Sequence, residues 1–209
     1  MMSQHRNVAQ SSVATVEPTA HNAIEDDRIL DATYPLLLTI GPRRLTMADV
    51  ARQAGVSRAT LYRRWPNVRS VVAALITREW SSLALGAIDL DEPVGRIRLV
   101  RGVVAIAAAS RDHPLLQTII ENDPEFLIPY LLQRRGTSTE MQLRMLTREI
   151  RAGQRDGSIR RGDAALLAAA VQVTATSFVL SARVVVSDAH SPRRLDSELG
   201  RLLDSYLAA

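Results

Sequence analysis

Apolar residues recur along this chain at the three-and-four spacing that lines one face of a helix. Ile29, Leu30, Tyr34, Leu37 and Leu38 predict a first helix over 24–39, with Glu25, Asp26 and Asp27 in its first turn facing the positive end of the macrodipole. Pro35 removes a backbone hydrogen bond and predicts a kink, and Gly41-Pro42 ends the helix. Thr46 and Asp49 form a capping signal ahead of Val50, Ala51 and Ala54. Gly55-Val56 reads as a turn, Ser57 caps a short helix over 58–64, and Pro66 stops it. Asn67 caps a fourth helix that runs through Val71, Val72, Leu75, Ile76 and Trp80 to position 85.

A loop over 86–93 follows, and beyond it the pattern predicts helices over 94–110, 113–121, 124–134, 138–156, 163–187 and 191–207. Their breaks are His113-Pro114, Asp123-Pro124, Gly136-Thr137, the Gly157 to Gly162 stretch and Ser191-Pro192. Residues 1–23, rich in Ser, Gln, Thr, Ala and Val without periodicity, read as a disordered arm. The expected architecture is all-α: a helix-turn-helix unit over 24–85 with its connecting fourth helix, then a helical bundle over 86–209.

Composition narrows the chemistry. Aromatics are only 4% of the 209 residues while alanine and leucine are abundant, which favours helices because these side chains lose little rotamer freedom there. The chain has no cysteine, which removes disulfides, thiolate nucleophiles and Cys-ligated metals. All 26 basic residues are arginine, so a Walker A lysine, a Schiff-base lysine and a Ser-x-x-Lys nucleophile are excluded as well. His5, His21, His113 and His190 are too scattered for a helical metal pair. The expectation is a protein without catalytic constellation, metal or cofactor. No apolar run approaches the roughly 20 residues of a membrane helix, and the N-terminus lacks a signal-peptide core, which predicts a cytoplasmic protein with no membrane partner.

Charge is unevenly placed. Seven arginines against Asp49 alone give positions 43–69 a net +6; since the whole chain is +4, the remainder carries −2. A compact basic segment on a mildly acidic body is either a nucleic-acid footprint or a solvated face. The spacing within it favours the first. Ala51 permits two helices to cross closely, Gly55 supplies the turn, and Val56 and Leu61 fill the wedge, with Trp65 beside them in the core. At about 100° per residue, an inward Leu61 turns Ala59 and Arg63 outward with Thr60 and Tyr62 on the flanks. Arginine can pair bidentately with guanine, and a small side chain leaves room beside a thymine methyl. Thr46, Ser57, Tyr62 and flanking arginines suit phosphates.

The stretch from Leu45 to Asn67, with Gly55-Val56-Ser57, Thr60-Leu61-Tyr62 and Trp65-Pro66-Asn67 in register, resembles the DNA-binding motif of the tetracycline-repressor (TetR) family. The likeness extends upstream to Ile29 and downstream to Leu75. It implies an N-terminal three-helix module on double-stranded DNA, and a body that binds a small effector and dimerises through its last two helices. By match, Thr46, Arg58, Thr60, Tyr62 and Arg63 fall where members contact DNA; geometry adds Ser57 and Ala59. Members usually carry a phosphate-contacting lysine where this chain has Val68, and Arg69 is the candidate substitute.

The resemblance and the residues meet again in the body. The segment 163–186 is apolar nearly all round, with Ala165, Ala168, Ala169 and Ala175 allowing close helix approach, and Leu195, Leu199, Leu202, Leu203 and Tyr206 offer a matching stripe. A buried central helix in a monomer and a two-fold homodimer both fit; the resemblance favours the dimer and with it a palindromic operator. Candidate effector-site residues are Ile119, Phe126, Leu127, Tyr130, Leu146 and Phe178 for apolar lining, and Gln172, Thr174, Thr176 or Ser177 for polar anchoring. Few charges in this set favour an apolar or weakly polar effector. The expected function is a transcriptional repressor released by that effector. Its alternatives are an activator or architectural DNA binder with a non-responsive body, and a helical enzyme or carrier whose basic segment is incidental.

Overall fold

The computed structural model describes residues 20–133, 136–185 and 191–209. The predicted arm over 1–23 lies almost entirely outside them. Helix α1, Ala20–Ile40, starts a turn before the predicted position. Glu25, Asp26 and Asp27 therefore leave the first turn and act sideways instead: Glu25 and Asp26 pair with Arg64, and Asp27 faces Arg78 at 3.9 Å. The helix is continuous through Pro35, which is exposed, so its missing N–H falls on the solvent side. It ends at Gly41, whose φ of 74° is the left-handed value that glycine reaches without strain.

Three helices follow in quick succession: α2 Met47–Ala54, α3 Arg58–Arg64 and α4 Val68–Ala87. Each start carries the predicted cap, with Thr46, Ser57 and Asn67 accepting from the amides of Asp49, Thr60 and Ser70 at 3.2, 3.0 and 2.9 Å. At Thr46 the box is complete, since Asp49 accepts in return from the Thr46 amide at 3.2 Å. The body consists of α5 Gly95–Asp112, α6 Pro114–Asn122, α7 Thr137–Arg155, α8 Ala164–Val185 and α9 Pro192–Leu207.

The helix expected over 124–134 does not form. A 3₁₀ turn, Pro124–Phe126, and a π turn, Pro129–Gln133, replace it. Pro129 cannot donate to a carbonyl one turn back and its ring would clash there, so the regular ladder is interrupted. The loop predicted over 86–93 is shorter on its N-terminal side, because α4 continues through Gly86 and Ala87.

Two apolar cores result. One gathers Ile29, Leu37, Val50, Leu61, Val71 and Leu75 from α1–α4, and is closed by Leu115, Ile119 and Phe126 from α6 and the turn after it. The other joins Leu99, Val103, Ile150, Leu167, Val171, Leu199, Leu203 and Leu207 from α5, α7, α8 and α9. Helices α5 and α7 meet closely where they cross: a Cβ on Gly95 would stand 2.8 Å from the Gly153 Cα. The Gly95 amide donates to Asp156 at 2.9 Å, and a buried ion pair in which Arg111 Nη2 donates to both Asp196 oxygens at 2.9 Å fastens α5 to α9.

Two expectations for the last helices change. Leu199 and Leu203 are buried in the second core, leaving Leu202 and Tyr206 on the outer face of α9. Helix α8 is long and apolar enough, by length and composition, to cross a membrane. The sequence reading missed this because Gln172, Thr174, Thr176 and Ser177 divide the run, yet its 22 residues include no acid and only Arg183 as a charge. In the fold its Leu167, Ala168 and Val171 pack into the second core.

Candidate nucleic-acid interface and the cavity behind it

The turn between α2 and α3 follows from Gly55, at φ 66° and ψ 32°. Its amide donates to Arg52 and the next amide, Val56, to Ala51 at 3.0 Å, the paired bonds of a Schellman ending. Leu61 is fully buried, which fixes the roll of α3. Arg58, Ala59, Tyr62 and Arg63 are consequently exposed, Tyr62 by 53%. Thr60 is half-buried, its hydroxyl 2.9 Å from that of Ser57. Thr46 and Arg69 are exposed at the starts of α2 and α4, so the eight sequence-predicted positions lie on or beside one helix-turn-helix surface.

The arginines of this segment divide into two sets. Arg64 turns inward to Glu25 and Asp26, tying α3 to α1; Arg52 pairs with Asp49 at 2.6 Å, and Arg43 with Glu125 at 3.0 Å. Among the described residues Arg44, Arg58 and Arg63 make no ion pair. Within this segment, Arg58 and Arg63 on the outward face of α3 are thus left without an acidic partner, the state in which an arginine can meet a phosphate or a guanine edge. Hydrogen bonds from the Thr46 hydroxyl, and next from Arg52, hold the Asp49 carboxyl below the usual carboxylate range, so the α2 cap keeps its charge. Arg69 lies 5.3 Å over the ring of buried Phe126, which is stacked at 5.7 Å with Tyr130.

Behind this unit lies a cavity of about 260 Å³ walled by α4, α5, α6, α7 and α8 and the turns after α6. Ile119, Leu127, Tyr130, Leu146, Gln172 and Thr176, all anticipated from sequence, line it. Phe126 and Phe178 do not: Phe126 faces the first core under Arg69, and Phe178 packs against the second. Thr174 and Ser177 are also off the lining; the Thr174 hydroxyl donates back to Ala170 at 2.9 Å. Unanticipated lining residues include Trp80 and Leu83 from α4 and Val103 and Ile106 from α5. Their apolar spacing was visible, but which side faces a void depends on helices far away in the chain.

Residues 29–75 match the family described as "Bacterial regulatory proteins, tetR family". Over 180 residues the chain is 37% identical to the uncharacterized HTH-type transcriptional regulator Rv2250c of Mycobacterium tuberculosis, covering 86% of this chain and 93% of that one. Among solved structures, the fold is similar to the TetR-family repressor QsdR of R. erythropolis, with TM-score 0.68 at 16% identity over 90% of this chain and 97% of that one. It is likewise similar to the TetR-family repressor AlkX of Dietzia sp., with TM-score 0.65 at 22% identity, over 87% and 94% of the two chains. The protein belongs to the TetR family: it is a DNA-binding, helix-turn-helix transcriptional regulator.

Proposed function

We propose that the protein is a repressor that binds a palindromic operator as a homodimer and leaves it when a small molecule occupies the cavity. The observation that carries this reading is the outward face of α3, where Arg58 and Arg63 stand exposed and unpaired around Ala59 and Tyr62. Arg63 and Ala59 read base edges; Thr46, Ser57, Arg58, Thr60, Tyr62 and Arg69 grip the backbone, with Arg69 in the place of the family's lysine. The reading divides the chain into a DNA-binding unit over 24–85 and an effector and dimer unit over 86–209. Both fold relatives, QsdR and AlkX, are repressors, and a regulator of bacterial genes works in the cytoplasm.

The dimer rests on α8. Leu166, Ala170, Val173 and Ser177 follow one another at steps of four, three and four residues, and Val184 stands two turns further on; the three larger apolar side chains, Leu166, Val173 and Val184, are exposed by 67%, 70% and 86%. A stripe of that period suits pairing with a second helix. Leu202 and Tyr206 extend it on α9. Two recognition helices about 34–36 Å apart would then enter successive major grooves.

Footprinting on the DNA upstream of the gene tests the reading, with two protected half-sites one helical turn apart as the expected result. Arg63→Ala should weaken operator binding by about 1–3 kcal/mol and relax preference at one base pair. An equal loss on operator and random DNA would reduce Arg63 to a phosphate contact.

A further inference from the structure

We infer that the effector is an uncharged, mainly apolar molecule with a single alcohol- or amide-like head that both donates and accepts a hydrogen bond. This rests on the proposal that the cavity is the effector site. The walls are chiefly aliphatic, with Trp80 and Tyr130 as aromatic surfaces. Four lining groups can carry charge: Glu79, Arg98, His113 and Glu149.

Each of the charged ones is already answered by the protein. Arg98 donates to the Glu92 carbonyl at 2.7 Å and to Glu149 at 3.3 Å. Glu149 also receives Arg148 at 3.2 Å, and Glu79 receives Arg78 through two nitrogens at 3.2 and 3.0 Å. The His113 Nδ1 accepts from the Leu115 amide at 3.3 Å, so in the neutral ring the proton sits on Nε2, 3.6 Å from Glu79. No wall charge is left over to neutralise an ionic ligand, and an unanswered ion in an apolar cavity is strongly disfavoured.

The uncommitted polar atoms lie elsewhere. Gln172 spends its amide protons on Gln142 at 2.6 Å and on the Thr176 hydroxyl oxygen at 3.1 Å. The Gln172 carbonyl and the Thr176 O–H have no protein partner among the described residues. They sit one helical turn apart on α8, a donor beside an acceptor, and form a polar spot, fixed by the bonds to Gln142 and within the pair, that a ligand head can complete.

The test uses calorimetry on the full-length protein with three ligands of equal chain: 1-decanol, decanoate and decyltrimethylammonium. Decanol should bind most tightly, and decanoate about a hundredfold more weakly at neutral pH, because it must take up a proton to enter. Thr176→Val and Gln172→Leu should each weaken decanol about tenfold, with folding checked by circular dichroism. Binding of either ion as tightly as the alcohol, indifference to both substitutions, or no binding by any of the three would overturn the neutral-head inference. The cavity itself is tested separately by Ala175→Phe, or Val179→Phe should the first not fold, which fills it. Decanol binding that survives the filling places the site elsewhere and defeats the effector-cavity reading, whichever head is preferred.

Discussion

Gly153 and Gly200 are both interior helix glycines, and the same substitution should move stability in opposite directions at the two. A Cβ at Gly153 would fall 2.5 Å from Ile159 Cδ1, 2.6 Å from Cγ1 and 3.2 Å from Cβ, where ordinary contact begins at 3.4 Å. Ile159 cannot step aside: it is buried, its amide donates to the Gly153 carbonyl at 2.9 Å, and the adjoining Arg160 amide is held by Leu207 at 2.9 Å. Alanine gains roughly 0.8–1.0 kcal/mol of helix propensity over glycine. Overpacking a core that does not yield costs about 1–3 kcal/mol, so Gly153→Ala should lose on the order of 1 kcal/mol net. At Gly200 the nearest atom is Val104 Cγ2 at 3.7 Å, ordinary contact, and Gly200→Ala should keep most of the propensity gain. Urea denaturation at one fixed protein concentration separates the two, the midpoint falling for the first and rising for the second at equal slope. A Gly153→Ala midpoint at or above that of Gly200→Ala would refute the claim that the α7–Ile159 contact is closed.

Two further outcomes follow from the charges. Asp196→Ala strands the Arg111 guanidinium, 5% exposed, without its carboxylate partner, and should cost about 3 kcal/mol in thermal denaturation; Arg111→Met with Asp196→Leu should recover most of it. On the acid side, desolvation pushes Asp156 upward, but the Ser158 hydroxyl and amide, the Gly95 amide and Arg98 outweigh it and keep the carboxyl below its ordinary value, as Asp49 is kept below by Thr46 and Arg52. Lowered carboxyls stabilise fully above the unfolded value of about 3.9 and lose that contribution as pH falls through the lower folded value. Asp156→Asn should flatten the acid limb of the stability profile, and an unchanged limb would show that the α5–α7 staple does not titrate.

The helix-turn-helix was legible because its determinants are local. A hydroxyl or amide three residues before an amide, a glycine at the one turn that needs positive φ, and a single buried leucine fix α2, α3 and the roll of the outward face. Arginine, by contrast, carries no mark of whether it will face outward. Arg63 and Arg64 are neighbours in sequence, yet one is exposed and the other is drawn in by acids on α1, some forty positions away. Pro35 and Pro129 show the same limit. Both sit in helical patterns, but only the second interrupts its helix, since α1 has an exposed side on which a missing bond is harmless.

The cavity and the division of the chain depend on contacts that no local pattern carries. A linker near 86–93 separates two runs of periodic residues, but the core under the recognition helix is completed from beyond it by Leu115, Ile119 and Phe126. Ile119 belongs to that core and to the cavity wall at once. Helix α4 likewise carries Val71 and Leu75 into the core, and Ile76, Trp80 and Leu83 onto the wall. A molecule that displaced α6 or α4 to make room would therefore press directly on the packing that sets the roll of α3. The Arg69–Phe126–Tyr130 stack runs beside that route, from the start of α4 to the lining of the cavity. Under the repressor proposal, coupling needs no long chain of intermediates: the cavity wall shares Leu115 and Ile119 with the core beneath α3, and a ligand acts through whichever arrangement of that packing it fits better.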